Sequence, residues 1–365
     1  MDITAAVVRE AGAAFSIETL QLDAPRADEV RVRIVGAGLC HTDLIARDQA
    51  IPVPLPAVFG HEGSGVVEAL GEQVQDLQVG DHVVLSFSSC GDCLRCSQHL
   101  PCYCQHFVPL NFGGARPDGS AGLMQAGQRV SSHFFGQSSF ATHALAGRRN
   151  VVKVDTRAPL ELLGPLGCGF QTGAGGVMHA LAAEAGSTIA IFGGGAVGLA
   201  AVMGAVVRGC REIVLVEPHA VRRALALELG ATCVLDPAAG EVAAQIRARV
   251  PEGVDYAFDN TGIPAVVETA LAALAPHGCC GVVAAATPDA AVSVNLTALV
   301  LAGHRIQGIV EGDSDPQTLI PELVSLFLAG RFPIDKLIAT YPLAQINQAI
   351  SAQHHGDCVK AVLLP

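Results

Sequence analysis

The sequence predicts an α/β protein of two domains, one rich in β-strands and one built on a doubly wound parallel sheet. Three observations predict this fold. The chain has 365 residues, which is too many for a single ordinary hydrophobic core. Half of the residues are hydrophobic and only 15% are charged, as is typical of compact α/β proteins. Short strands rich in β-branched residues are predicted in the first part of the chain, whereas strands and helices alternate in the second part.

The first part of the chain has the pattern of a β-rich domain. Residues 29–35 alternate apolar and polar side chains, and residues 63–70 and 82–85 are short runs rich in branched residues. After about residue 310 a helix at 316–329 and a final strand near 359–364 follow. We expect this last strand to return to the first domain.

From about residue 181, apolar strands alternate with Ala-rich amphipathic helices. In chain order the predicted elements are strand 188–192, strand 213–216, helix 220–229, helix 242–250 and strand 256–258. This is the βαβ pattern of a parallel sheet.

Charge and composition argue against two classes of partner. The formal net charge is −12 and Lys and Arg are scattered, so nucleic acids and anionic membranes should be repelled. The N-terminus lacks the basic start and apolar core of a secretory signal, which predicts a cytoplasmic protein. The uncharged run 186–207 is long enough for a membrane span. Its glycines divide it into a strand and a helix, so we expect no membrane span.

A glycine-rich turn predicts a dinucleotide site. Gly193, Gly195 and Gly198 follow an apolar strand and open a helix, which is the context that the G-x-G-x-x-G fingerprint requires. Glu217 ends the next predicted strand, 19 residues beyond Gly198. A carboxylate at this place accepts hydrogen bonds from the adenosine ribose and repels a 2′-phosphate. NAD is therefore predicted in preference to NADP, with nearby Arg222 as a further candidate contact.

Four cysteines form a second local motif. Twelve cysteines in a chain expected in a reducing compartment favour metal binding over disulfides. Four of them have the spacing C-x2-C-x2-C-x7-C and can close a tetrahedron around a structural zinc ion: Cys90, Cys93, Cys96 and Cys104. Cys102 can replace Cys104 on spacing alone. Buried or redox-active cysteines and an iron–sulfur cluster are alternatives, although the Cys-Pro that usually ends the iron–sulfur motif is missing.

Three further segments, at residues 40–43, 60–63 and 167–173, contain Cys, His, Asp and Glu side chains that only a fold can bring together. These segments, the four-cysteine lobe and the glycine turn occur in the same order as in the zinc-containing medium-chain alcohol dehydrogenases. The resemblance covers essentially the whole chain. Within that family, residues 107–114 and 134–140 resemble the aryl-alcohol (benzyl alcohol) dehydrogenases.

The resemblance implies a particular division of the chain. Residues 1–170 with 312–365 would form a GroES-like β-rich catalytic domain that binds zinc, and residues 171–311 an NAD-binding Rossmann domain. It also implies NAD and two Zn²⁺ ions per chain as cofactors.

The second zinc ion is implied to be catalytic. Cys40, His61 and Cys168 would be its ligands, leaving a fourth position for water or substrate oxygen. Asp43 would orient the His61 ring. Glu62 would approach the metal while water or product exchanges. Taken alone, each of these residues is more often a packed residue than a functional one.

Further implied roles concern the proton and the cofactor. Thr42 would be the first proton acceptor, and Thr172 would position the nicotinamide. His41 and Lys360 would contact the pyrophosphate. In many relatives the proton then passes to a histidine five residues after the first zinc ligand, but here that position is Ile45. The end of the proton relay therefore stays open.

The sequence thus predicts NAD-dependent oxidation of an aromatic primary alcohol of the benzyl type to its aldehyde. Ile45 favours an apolar substrate, and so do four phenylalanines of the family-specific segments: Phe112, Phe134, Phe135 and Phe140. The expected partner is a small alcohol or aldehyde. The resemblance further suggests a homotetramer or homodimer joined through the nucleotide-binding domain.

Three alternatives remain. The nearest is another branch of the same family, such as a polyol, threonine or glutathione-linked formaldehyde dehydrogenase. A second is a zinc-lobe binding module without catalysis, but a lobe that binds DNA needs basic residues, and this one offers Arg95 next to Asp92. A third is a redox sensor that uses the spare thiols Cys210, Cys233, Cys279, Cys280 and Cys358.

Overall fold

The computed structural model describes residues 1–284 and 289–365. The chain divides into two compact units. The first contains Met1–Cys168, Asp315–Gly330 and Ile334–Pro365, and the second contains Gly169–Ser314 and Arg331–Pro333. The two ends of the chain therefore share one unit.

Both units combine short strands with helices of modest length. The strands of the described residues are β1 (Asp2–Val8), β2 (Ser16–Leu22), β3 (Glu29–Gly38), β4 (Ala57–Val58), β5 (Glu62–Leu70), β6 (His82–Leu85), β7 (Leu123–Gln125), β8 (Gln128–Val130), β9 (His143–Gly147), β10 (Val151–Lys153), β11 (Thr188–Phe192), β12 (Glu212–Val216), β13 (Cys233–Leu235), β14 (Val254–Asp259), β15 (Leu274–Val282), β16 (Arg305–Gly308), β17 (Ile338–Pro342) and β18 (Lys360–Leu364). The α-helices are α1 (His41–Arg47), α2 (Leu94–Ser97), α3 (Phe107–Phe112), α4 (Gly169–Gly175), α5 (Ala196–Arg208), α6 (Ala220–Glu228), α7 (Val242–Arg249), α8 (Pro264–Ala272), α9 (Leu296–Ala302), α10 (Pro316–Leu328) and α11 (Ile346–His355).

Two sheets of mostly antiparallel strands form the first unit. One has the order β4-β1-β2-β7-β8, and the other has the order β10-β6-β5-β3-β18-β17 with β9 also paired to β3. In β3, Val30, Val32 and Ile34 are buried, because the alternation noted in the sequence turns every second side chain toward the core. The final strand β18 pairs antiparallel with β3, so the C-terminus completes a sheet that begins near the N-terminus.

The second unit is built on a six-stranded parallel sheet with the order β13-β12-β11-β14-β15-β16. The chain starts at the central strand β11 and adds strands outward on both sides, as in doubly wound dinucleotide-binding sheets. Every residue of β11 is buried, which is typical of parallel strands that are covered on both faces. This architecture confirms the predicted fold class.

The uncharged run at residues 186–207 folds as predicted, into strand β11 and most of helix α5. Helix α5 has 13 residues, which is shorter than a bilayer span requires. Among the residues that the structure describes, none of the helices combines the length and the apolar character needed to cross a membrane.

Candidate metal centres and dinucleotide site

Four side chains of types that can bind a metal come from distant parts of the chain and meet in the first unit. Cys40 immediately precedes helix α1, and Cys168 follows the short helical turn Gly164–Gly167. His61 and Glu62 stand at the start of β5. The ligand atoms of these four residues all lie within 4.8 Å of one another. We call them the catalytic cluster; they include every residue that the sequence assigned to the catalytic metal.

Asp43 holds two members of the catalytic cluster. Its Oδ1 atom lies 2.8 Å from His61 Nδ1 and accepts a hydrogen bond from the Gly60 N–H at 3.0 Å. Its Oδ2 atom accepts from the Cys40 N–H at 3.0 Å. Asp43 and His61 are both fully buried. The carboxylate therefore fixes the imidazole at Nδ1 and leaves Nε2 as the atom that can face a metal, an arrangement typical of histidine ligands.

The donor set of the catalytic cluster fits a zinc ion. His61 Nε2 is buried without a hydrogen-bond partner among the described residues, which is costly unless a metal takes that place. A hydrogen bond from Cys168 holds the pKa of the Cys40 thiol well below its ordinary value. An ionised thiol is the form that binds zinc. Because Asp43 and Glu62 are buried here too, a divalent cation would offset the cost of gathering their negative charges.

Glu62 and Lys360 form a buried ion pair beside the catalytic cluster. Lys360 Nζ lies 2.9 Å from each carboxylate oxygen of Glu62 and donates to the carbonyl of Leu39 at 3.1 Å. Burial raises the pKa of Glu62, although the Lys360 ammonium opposes that shift. Burial also disfavours the ammonium, but the charge of Glu62 raises the pKa of Lys360 above its ordinary value. Lys360 thus has a partner in the first unit, and its contact with a pyrophosphate stays a prediction.

The first turn of α1 carries two of the implied functional residues. Thr42 Oγ1 lies 3.7 Å from Cys40 Sγ, so its hydroxyl stands beside the catalytic cluster. His41 is exposed at the start of the same helix, and Ile45 is half-buried one turn later. The roles of Thr42 in proton transfer and of His41 in cofactor binding remain predictions.

Aromatic rings cover one side of His61. Phe135 stacks on the imidazole with ring centroids 4.4 Å apart, and Phe134 meets it edge-on at 5.6 Å. Phe112 lies 5.2 Å from Phe135 and is only half-buried. We call these three phenylalanines the aromatic wall. Phe140 is buried in the core of the first unit and packs against Phe15, with ring centroids 5.9 Å apart. Phe134 and Phe135 are buried in the same core, at 1% and 4% exposure, so Phe112 is the ring of these four that is partly exposed.

The four-cysteine lobe is folded around helix α2. Cys104 Sγ lies 3.4 Å from Cys90 Sγ and 4.0 Å from Cys93 Sγ, and Cys90 Sγ lies 3.9 Å from Cys96 Sγ. Sulfur atoms bound tetrahedrally at about 2.3 Å from a zinc ion lie about 3.8 Å apart. The lobe therefore has the dimensions of a closed zinc site. Cys102 is buried in the main core instead, which decides between Cys102 and Cys104.

The ionisation of the cysteine thiols in the lobe also favours a bound cation. Hydrogen bonds from the backbone N–H groups of Cys96 and Gln105 lower the pKa of Cys93 to about 6. Burial raises the pKa of Cys90 to about 12. Four adjacent sulfurs cannot all ionise without a compensating charge, and a bound metal supplies it. The described residues include all twelve cysteines, and none of these forms a disulfide.

In the second unit, the glycine turn joins β11 to α5. Gly193 adopts a φ of +95°, a conformation that glycine reaches without strain. A Cβ atom added at Gly198 would lie 1.8 Å from the Gly193 carbonyl oxygen, so this position must be glycine for the helix to pack. A Cβ added at Gly195 would meet no atom of the described residues within 4 Å. The backbone is therefore open there to a phosphate approaching the start of α5.

Glu217 is buried at the end of β12, next to the glycine turn. Its Oε2 atom accepts a hydrogen bond from the Gly194 N–H at 2.6 Å, and its Oε1 atom accepts from the His219 N–H at 2.8 Å. Arg223 donates to the carbonyl of Glu217 at 2.7 Å, and Arg222 beside it is half-buried. These hydrogen bonds fix the carboxylate beside the glycine turn, and its contact with a ribose stays a prediction.

Two residues of the second unit were not found from the sequence. Asn260 Nδ2 donates to the carbonyls of Phe192 and Gly193, at 2.6 and 2.9 Å, and so braces the glycine turn. Its position directly after β14 could have placed it near the glycine turn, because adjacent parallel strands end at the same edge of a sheet. Buried Glu311 accepts a hydrogen bond from Thr172 Oγ1 at 3.4 Å. Its separation in sequence from Thr172 left no local signal.

Comparisons with known proteins extend over both units. The family model described as an alcohol dehydrogenase GroES-like domain matches residues 26–156, and the one described as a zinc-binding dehydrogenase matches residues 196–328. A geraniol dehydrogenase from Castellaniella defragrans is 50% identical over 362 residues, which cover 99% of this chain and 97% of that protein.

Two crystal structures are similar over essentially their whole length. An alcohol dehydrogenase zinc-binding domain protein from Burkholderia ambifaria is 53% identical with a TM-score of 0.99, covering 100% of this chain and 99% of that one. The benzyl alcohol dehydrogenase from Acinetobacter calcoaceticus is 44% identical with a TM-score of 0.97 and the same coverage.

Proposed function

The chain belongs to the zinc-containing medium-chain alcohol dehydrogenase family, and on that premise we propose that it oxidises aromatic primary alcohols of the benzyl type to aldehydes with NAD. The observation that carries the proposal is the catalytic cluster, with Phe134 and Phe135 packed on its histidine. We propose two zinc ions per chain, one in the catalytic cluster and one in the four-cysteine lobe.

The first unit supplies the groups that act on the alcohol. A zinc ion held by Cys40, His61 and Cys168 would supply a Lewis acid that makes an alcohol oxygen easier to deprotonate. Thr42 Oγ1 would accept that proton, since its hydroxyl lies 3.7 Å from Cys40 Sγ. Asp43 keeps the imidazole proton at Nδ1, so that Nε2 presents its lone pair. The aromatic wall excludes water from that side of the histidine.

The second unit supplies the dinucleotide site. NAD would supply the hydride acceptor. The N–H groups at the start of α5 would bind its pyrophosphate, and Glu217 would accept hydrogen bonds from its adenosine ribose. The role of Thr172 in positioning the nicotinamide is supported by its hydrogen bond to buried Glu311, which orients the hydroxyl.

Replacing Glu217 with alanine should weaken NAD binding and relax the discrimination against NADP. The substitution removes the ribose acceptor and the charge that repels a 2′-phosphate. We expect the ratio of kcat/KM for NAD over NADP to fall at least about tenfold, a change of about 1.4 kcal/mol. Steady-state kinetics with both cofactors measure this ratio.

The matched control for this variant is Glu212→Ala. Glu212 lies at the opposite end of β12 and pairs with Arg249 at 2.8 Å. We expect its loss to leave the cofactor preference unchanged. An unchanged preference in Glu217→Ala would show that a different residue selects the ribose.

The proposed substrate class is supported by the relatives and by the aromatic wall. Benzyl alcohol and geraniol, which appear in the names of two similar proteins, are both primary alcohols with an unsaturated carbon next to the reacting carbon. A flat unsaturated group packs well against Phe rings. A polyol would leave hydroxyl groups without partners beside Ile45 and these rings, at a cost for each one.

Benzyl alcohol should be oxidised with a kcat/KM at least about tenfold above that of ethanol. Burial of its ring gains about 25 cal/mol for each Å² of apolar surface, and a tenfold ratio requires only about 1.4 kcal/mol. Secondary alcohols such as 1-phenylethanol should be poorer, because they carry a second substituent on the reacting carbon. NAD reduction against a panel of alcohols measures these ratios.

Two saturated alcohols serve as matched controls in the panel. Cyclohexylmethanol resembles benzyl alcohol, and citronellol resembles geraniol, but each lacks the unsaturation next to the reacting carbon. We expect both to be poorer than their unsaturated partners. If ethanol or sorbitol is oxidised as efficiently as benzyl alcohol, the aromatic assignment is wrong, whereas the zinc and NAD proposals stand.

A second candidate substrate is a longer allylic alcohol such as geraniol. Its support is the 50% identity to a geraniol dehydrogenase and an apolar groove next to the aromatic wall. The groove has a volume of about 610 Å³, and Phe112 is one of its lining residues together with Val53, Pro54 and Leu55. A kcat/KM for geraniol well above that for benzyl alcohol would favour this candidate.

Assembly and location are also proposals. The edge strand β16 and helix α9 expose apolar side chains, with Leu296, Val300 and Leu301 at 72%, 76% and 83% exposure. Clustered exposed apolar side chains are typical of interaction surfaces, which supports the proposed homodimer or homotetramer joined through the nucleotide-binding unit. The cytoplasmic location stays a prediction.

A further inference from the structure

Residues 132–140 form a buried segment with an unusual backbone. His133, Phe135 and Ser138 have φ angles of +60°, +51° and +57°, in the left-handed region that residues with a side chain rarely adopt. Such conformations persist only where the surroundings enforce them, and they concentrate at functional sites. In this segment, Phe135 is the ring that stacks on His61.

The side chain of Gln137 connects this segment to the backbone of the catalytic cluster. Its Oε1 atom accepts a hydrogen bond from the Gly63 N–H at 3.0 Å, and its Nε2 atom donates to the His61 carbonyl at 2.9 Å. These two backbone groups flank Glu62. Gln137 is 2% exposed, so water cannot take over either bond. The amide therefore fixes the backbone immediately before and after Glu62, at the start of β5.

The same amide is also connected, through Ser86, to the backbone that precedes Cys168. Gln137 Nε2 lies 3.3 Å from the Ser86 carbonyl. The Ser86 hydroxyl in turn donates to the Gly167 carbonyl at 2.7 Å, directly before Cys168. Hydrogen bonds of Gln137 and Ser86 thus connect the backbone of His61 to the backbone that precedes Cys168, and both side chains are buried.

We propose that Gln137 is a positioning residue that fixes His61 relative to Cys168 and thereby retains zinc in the catalytic cluster; the inference rests on the zinc site proposed above. Gln137 acts through the backbone of His61, whose ring Asp43 holds at the other end. With one constraint removed, the imidazole keeps its carboxylate partner but loses its fixed distance from the thiols. Residues that orient metal ligands typically alter metal affinity or activity about 10- to 100-fold when they are replaced.

The variant Gln137→Met tests this role, because methionine keeps the length of the side chain but makes none of the three hydrogen bonds. We expect the zinc ion that activity requires to be released to a chromogenic chelator about 10- to 100-fold faster than in the wild type. Release of the other zinc ion should be unchanged. In the cobalt-substituted protein, the visible bands of the catalytic cluster should shift, and kcat should fall while KM for NAD stays constant.

The matched control is Asn111→Leu. Asn111 is also fully buried, and among the described residues its amide bonds to backbone groups of Ser88 and Phe107, which flank the four-cysteine lobe. We expect this variant to be less stable, with zinc release from the catalytic cluster unchanged. If Gln137→Met does not fold, Ser86→Ala tests the same link from the Cys168 side, with the same expected acceleration.

Two results would overturn the proposal. One is zinc release from folded Gln137→Met at the wild-type rate. The other is equal acceleration of catalytic zinc release in Asn111→Leu, which would show that the effect is one of general stability. A wild-type protein that holds no zinc at Cys40, His61 and Cys168 would instead contradict the proposed function, so the two failures are distinguishable.

Discussion

Replacing Cys168 with serine is expected to lower kcat/KM for the preferred alcohol by at least about 10³-fold and to leave the fold intact. A serine hydroxyl stays protonated near neutral pH, so the substitution removes one of the two thiolates offered to the catalytic zinc. Loss of a metal that supplies several kcal/mol to the transition state accounts for this magnitude. NAD-reduction kinetics, metal analysis and thermal unfolding together check the result.

The fold should survive because the backbone around Cys168 is held independently of the metal. The Gly167 carbonyl accepts a hydrogen bond from the Ser86 hydroxyl at 2.7 Å. Cys279→Ser is the matched control, since Cys279 is a buried thiol in β15 of the second unit. We expect this control to keep both zinc ions and its activity. Full activity in Cys168→Ser would contradict the assigned ligand set.

Replacing Cys93 with serine is expected to act chiefly on stability. Structural zinc sites contribute on the order of 10–16 kcal/mol of apparent binding free energy, which is available to folding. Removing one of four ligands should therefore lower the free energy of unfolding by at least about 3 kcal/mol. The zinc content should fall from two ions per chain to one. Chemical denaturation and metal analysis measure the two effects, and any protein that remains folded should still oxidise alcohol.

Cys102→Ser distinguishes loss of the metal from loss of a buried thiol in the same part of the chain. Cys102 packs in the main core and is 2% exposed, so this variant should lose some stability but retain both zinc ions. Equal losses of stability in Cys93→Ser and Cys168→Ser would show that the two sites do not divide structure and catalysis as proposed. A wild-type zinc content near one per chain would remove one of the two sites.

Features made by neighbouring residues could be predicted from the sequence. Gly193, Gly195 and Gly198 lie within one strand–turn–helix unit. The local backbone of this unit decides why glycine is needed at each of these positions. The cysteines at 90, 93 and 96 likewise sit on one short lobe, where spacing alone brings their sulfurs together. In both cases the chain between the functional residues is too short to adopt many other arrangements. The spacing of these residues in the sequence therefore predicts their positions in space.

Features made by distant residues needed the structure, and some expectations changed with it. Glu62 and Lys360 were given separate roles, yet they form one ion pair although 298 positions separate them. Phe140 was grouped with Phe134 and Phe135, and all three are buried in one core, but Phe134 and Phe135 contact the His61 ring whereas Phe140 packs against Phe15. The segment that contains all three has left-handed residues at several positions, so the simple alternation of a strand does not predict which ring faces which way.

The sequence by itself therefore determined the two-domain α/β fold class, the glycine turn, the four-cysteine lobe and, through resemblance, the family. Only the tertiary structure decided which cysteine completes the lobe, which rings line His61, and which groups hold Asp43, Gln137 and Glu62 in place. The physical reason is that hydrophobic periodicity and turn chemistry act over a few residues, whereas a buried site is defined by side chains that meet across paired strands. Their contacts depend on the register of β3, β5 and β18, which forms only when the whole sheet is assembled.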